Sequence, residues 1–265
     1  MSGTLFKLDA KNNAFLLLIF CGVMSMYMGI IMYMYDPTSS ESLMDMMDML
    51  PPEMISAFGF DNSSTDLTGF VAGFYYGFLV FAFPMVYYII LSNRLVCKMV
   101  DSGAFAYLLQ TPTSRVKIIV TQAVYLLASI AVLFSAVYLV GTYAARTLFP
   151  GMLNTQAYTR LHISAALLTM AMAMVCFFYS CLFNETKRSL AFGTSIPLTF
   201  FLLFLIGGVS NDAEIFKDMS IFSLLDATGI VQNGNTMGIN ILFAAMTAIL
   251  FIASVLVFDK KRLPI

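Results

Sequence analysis

Few residues in this chain could do chemistry, and their spacing excludes most of it. His162 is the only histidine. Standing at the edge of an apolar run, it reads as an interfacial polar residue, with a ligand or proton-relay role as the alternative. Neither a Ser/His/Asp arrangement nor a metalloprotease spacing surrounds it. No Gly-x4-Gly-Lys-[Ser/Thr] loop occurs, so the chain has no phosphate cradle of its own. Cys21, Cys97, Cys176 and Cys181 fall in apolar runs or in the loop between two of them, which leaves no framework for an extracellular disulfide. The run Met44-Asp45-Met46-Met47-Asp48-Met49 offers thioethers, which favour Cu(I). Its methionines spread around a helix with no histidine nearby, so an adaptable packing face is the simpler reading. We therefore expect no catalytic residue, no metal site and no bound cofactor.

The elements that carry these residues are membrane elements. Apolar residues make up 60% of the chain and charged ones 11%. Soluble domains have about 25% charged residues. The net charge of −1 and the absence of any basic patch beyond loop-sized clusters give no sign of a nucleic-acid partner. Residues 14–35 carry no charge and would extend ~33 Å as a helix, enough to cross a bilayer. This run is too long for a signal-peptide core and lacks a small-residue cleavage site, so it should stay in place. Further spans are expected at 69–91, with Pro84 as a kink, and at 118–143, 161–183, 190–209 and 238–258. The fold class is all-α integral membrane, a single domain over 1–265 with six transmembrane helices. None of these spans holds an Asp, Glu, Lys or Arg. Ion-coupled carriers usually place such groups at membrane depth.

Charge fixes the orientation. Of the 14 Lys and Arg, all but Arg146, Arg160 and Lys217 fall on one side if both ends share it. The positive-inside rule then puts the N and C termini in the cytoplasm. The outer segment 36–68 is acidic. In it Thr38-x-x-Glu41 is a capping-box pattern, Leu43, Met46, Met47 and Leu50 form one apolar face, and Pro51 ends the helix. A second short helix should run from Pro52 to Gly59, and 221–230 is another amphipathic piece on the outer side.

The inner loop 92–117 stands apart. Asp101 or Ser102 can cap a short helix through Gly103, Phe105, Tyr107 and Leu108, which Pro112 stops. Thr113 or Ser114 can cap the helix that re-enters the membrane. Phe105, Leu108 and Leu109 share an apolar face that something should cover. On this pattern alone the helix could equally lie on the bilayer or dock on a partner.

The same stretch resembles the first cytoplasmic loop of ABC-2 type permeases. Gly103, Leu108-Leu109, Thr111-Pro112, Ser114-Arg115 and Ile118 match the family pattern, with Ala104 where Thr is usual and a single Asp101 where acidic runs are common. With six spans, the resemblance covers essentially the whole chain. It implies a coupling helix that docks on a separate cytoplasmic ATPase, which would hold the ATP and Mg. It also implies a second permease subunit, identical or paralogous, and a bacterial plasma membrane. The interface residues it points to are Asp101, Ser102, Gly103, Phe105, Tyr107, Leu108 and Arg115, with Gly103 allowing close approach and Arg115 fixing the loop. Phe (25), Met (20) and the absence of Trp make any cavity apolar and adaptable, suited to a peptide, lipid or drug. An ATPase-independent carrier and a non-transporting scaffold or immunity protein are the rival classes.

Overall fold

The computed structural model describes residues 1–36, 51, 54, 66–110, 113–209 and 213–262. The capping box at Thr38, the methionine run, the helix expected from Pro52 to Gly59 and Pro112 lie outside these residues, as does the side chain of Leu109. All the described secondary structure is helical, and six stretches are long and apolar enough to cross a membrane.

Helix α1 (Gly3–Met34) runs against α6 (Arg115–Leu148). It begins about three turns earlier than the charge-free run predicts. No Gly or Pro interrupts Thr4 to Asn13, and the polar residues there have somewhere to go. Asp9 and Asn13 are buried, Asn13 Nδ2 donating to the Asp9 carbonyl at 3.0 Å. Asp9 lies beside Gln122, and Phe6 meets Tyr125 edge-on at 5.5 Å. The stretch ahead of the charge-free run is thus a packed part of the first helix, and it brings a buried carboxyl with it.

The second span is broken into α2 (Leu67–Phe74), a π-helical turn (Tyr75–Leu79) and α3 (Val80–Leu95). Pro84 lies inside α3. It lacks the amide that would bond the Val80 carbonyl, and its ring presses on that carbonyl. The wide turn ends at Val80, so the distortion that Pro84 predicts appears one turn earlier as a π segment. Asp66 caps α2 by accepting from the Gly69 amide at 3.3 Å. Beyond Val96 come two short helices, α4 (Cys97–Asp101) and α5 (Ala104–Leu109). Ser114 caps α6 as expected, accepting from the Lys117 amide at 3.3 Å.

Helix α7 (Thr155–Leu182) is the centre of the bundle. It packs against α3, α6, α8 (Thr186–Val209) and α11 (Met237–Lys260). Its most apolar window is 72% buried, against 17% for α11 and 22% for α1, which turn most of their surface outward. Between α8 and α11 come α9 (Glu214–Asp218), a 3-10 turn (Ile221–Leu224) and α10 (Ala227–Asn233). The last two form the expected amphipathic piece.

Both termini lie at one end. The Ser2 amide donates to Thr121 Oγ1 near the start of α6 at 2.8 Å, and Arg115 reaches the residue just after α11. The short helices α9 and α10 lie at the opposite end, where a Cβ on Gly234 would strike Arg160.

Candidate functional site

The termini end carries the residues singled out from sequence, and the structure divides them into two groups. Gly103 takes φ +73°, a conformation open to glycine, and this turns the chain from α4 into α5. Its role is backbone geometry. Nothing lies within 4 Å of where its side chain would be, so the surface above it is open.

Neither residue expected to cap the short helix does so. α5 starts from Gly103 with no side-chain cap. Asp101 instead accepts from the Thr186 amide at 3.1 Å, capping α8 across the loop, because the left-handed turn at Gly103 carries α5 away from it. Ser102 donates back to the Met99 carbonyl at 3.4 Å.

Phe105 corrects the sequence expectation most clearly. It is 2% exposed and packs against Phe258 near the end of α11, ring centroids 5.2 Å apart. The chain covers this part of its own apolar face, so Phe105 anchors α5 and is not free to contact another protein. Leu108 is half-buried and lines a cleft of about 190 Å³ with Leu5, Leu8 and Ile118. Tyr107 points the other way and is 74% exposed. The structure therefore keeps Asp101, Phe105, Leu108 and Arg115 as fasteners and presents Tyr107 beside Ser102 and Gly103.

The fasteners meet at the C-terminal end of the chain. Arg115 Nη1 donates to the Lys261 carbonyl at 3.1 Å. Lys261 Nζ donates to the carbonyls of Cys181 (2.9 Å) and Phe183 (2.6 Å), and lies over the Phe258 ring at 5.4 Å. Cys97 Sγ donates to the same Phe183 carbonyl at 3.3 Å. The last carbonyls of a helix have no partner within it, and a cation there also meets the negative end of the helix dipole. Lys261 thus supplies from outside what the end of α7 lacks, and burial lowers its pKa from the ordinary lysine value. Next to this clasp, Asn93 Nδ2 donates to Ser189 Oγ at 3.3 Å, and Ser180 and Ser189 share a bond at 3.2 Å. Ser189 is therefore buried inside α8.

Sequence reasoning placed His162 at a membrane mouth. The structure buries it two turns into α7. Nε2 lies 2.8 Å from the Phe134 carbonyl, which can only accept, so Nε2 holds the proton. In the neutral imidazole Nδ1 then accepts from the Tyr76 hydroxyl at 2.6 Å. The rings of Phe134, Tyr138 and Tyr158 surround it at 5.3–5.9 Å. Tyr76 was not singled out from sequence. The sole histidine facing a span with an adjacent tyrosine pair was the signal that could have found it.

Among the described residues, no three His, Cys, Asp or Glu side chains converge on a point that could hold a metal ion. No known family matches the chain, and no curated protein matches it.

Proposed function

We propose that this chain is the membrane subunit of an ATP-driven exporter of the ABC-2 permease type, moving a hydrophobic or amphipathic substrate. It would work with a separate cytoplasmic ATPase and a second permease subunit, with its termini in the cytoplasm of a bacterial cell. The observation that carries this reading is α5 itself. An exposed tyrosine stands on a short helix whose other face is fastened to the sixth span by Phe105 and Phe258. A helix so held can pass a push from a partner into the bundle, whereas a helix resting on lipid needs no such fastening. The resemblance of residues 103–118 to the family's first cytoplasmic loop, together with the lack of any Walker loop in the chain, supports the same reading.

The test is reconstitution. The chain is purified together with a candidate ABC-type ATPase and placed in liposomes, and ATP hydrolysis and export of amphipathic peptides, lipids and drugs are followed. The reading predicts hydrolysis stimulated by at least one substrate class and no export when the ATPase is omitted.

A second reading rests on Asp9, a carboxyl buried in the first helix beside Gln122. Buried ionisable groups in membrane helices are commonly ion or proton sites. An ATPase-independent carrier would transport in the same liposomes without ATPase and would lose that activity on Asp9→Asn.

A further inference from the structure

A cavity of about 530 Å³ opens at the end away from the termini, within the range typical of small-ligand sites. One wall is the broken second span, where Gly73, Tyr76 and Gly77 leave room. Phe204 on α8 forms a second wall, and the polar side is Lys217, Asp218, Ser223 and Asp226. Three features make this a built site.

First, the tyrosine wall is held. Tyr76 sits in the π turn and donates to His162, which is itself fixed on the Phe134 carbonyl. Single π turns are frequent at functional sites. Second, the cation is placed by backbone contact. A Cβ on Gly207 would collide with the Lys217 backbone, so α9 lies directly on α8 only because glycine stands there.

Third, cation and carboxylates stand on one wall without pairing with each other. Neither the Lys217 ammonium nor the Asp218 carboxylate has a partner among the described residues, although the two are neighbours on the cavity wall. The Asp226 carboxylate caps α10 through the Gly229 amide at 3.0 Å. A cation beside carboxylates, over an apolar floor, complements a ligand that carries both charges on an apolar body. Ile215, Phe216 and Met219 are exposed on either side of Lys217 and Asp218, which suits a site at the level of lipid headgroups.

We propose that this cavity binds the headgroup of a zwitterionic phospholipid, its phosphate on Lys217 and its ammonium facing Asp218 and Asp226. The site depends neither on an ATPase partner nor on which side of the membrane this end faces, so it stands or falls separately from the exporter reading.

Native mass spectrometry of the purified chain, loaded with equimolar phosphatidylethanolamine and phosphatidylglycerol, tests it. Wild type should retain phosphatidylethanolamine at least about fivefold over phosphatidylglycerol, a difference of about 1 kcal/mol. Lys217→Met should lower retention of phosphatidylethanolamine about tenfold, equivalent to about 1.4 kcal/mol. Asp218→Asn with Asp226→Asn should abolish the preference while leaving the α10 cap, since Asn caps as well as Asp. Lys98→Met, at the other end, controls for nonspecific charge loss and should behave as wild type. Equal or greater retention of phosphatidylglycerol by wild type would overturn the proposal. So would Lys217→Met retaining phosphatidylethanolamine as wild type does. The double Asn variant keeps the test open if Lys217→Met folds poorly, because an unchanged preference in it would refute the assignment of the ammonium.

Discussion

At the end that carries both termini, the clasp around Lys261 uses backbone carbonyls as its acceptors. Residues from distant parts of the chain are the donors, Lys261 to Cys181 and Phe183, and Arg115 to Lys261. At the opposite end rings do the packing, around an imidazole whose two bonds are both made within the bundle. The first kind of end is tied by a few charge-assisted bonds near water, each of which a partner could compete for or pull on. The second is closed by shape and leaves a cavity beside it. The proposed exporter, driven by an ATPase from one side, would draw on this asymmetry, with fastenings that transmit at one end and a stable chamber at the other.

The comparison breaks most completely if the ends face the wrong sides. With the native cysteines replaced, Met152→Cys at the cavity end should react with a membrane-impermeant thiol reagent in intact cells, and Lys187→Cys at the termini end should not. Both positions are exposed, so burial does not confuse the result. Labelling confined to Lys187→Cys would invert the assignment. Phe258→Ala removes the surface on which Phe105 rests and should cost about 3 kcal/mol, seen as a lower Tm in detergent and faster proteolysis near α5. Phe258→Leu should cost less. Lys261→Met leaves the Cys181 and Phe183 carbonyls without their cation and should cost about 2 kcal/mol by the same melt, with Lys261→Arg recovering part. At the other end, a double-mutant cycle of Tyr76→Phe and His162→Gln should give a coupling of about 1 kcal/mol. A coupling near zero would mean that the Tyr76–His162 bond does not hold the cavity wall.

The spans were legible because apolar runs without charge, each about the length of a bilayer crossing, have few other uses. Ser114 was legible as a cap because its partner is three residues away. Pro84 announced a distortion, though not that a π turn would absorb it. What stayed hidden depends on residues far apart in sequence. No local pattern says that Phe258 will cover Phe105, or that Lys261 will finish a helix ending near Cys181. Nothing beside Asp9 and Asn13 in sequence shows Gln122 waiting in α6. Asp101 was recognised as a cap but assigned to the wrong helix, since Thr186 is distant along the chain and near only in space. His162 looked interfacial for the same reason.

The most direct test of the central claim is capture of the ATPase by Tyr107 variants at matched membrane abundance. Tyr107 is the exposed aromatic of α5 and makes no fastening contact, so Tyr107→Ala should change stability by less than about 0.5 kcal/mol. An aromatic anchor in a partner's pocket is commonly worth about 2 kcal/mol or more, so capture should fall at least about tenfold. Tyr107→Asp should be worse, because its carboxylate would be desolvated in that pocket. Wild-type capture by Tyr107→Asp would contradict the account.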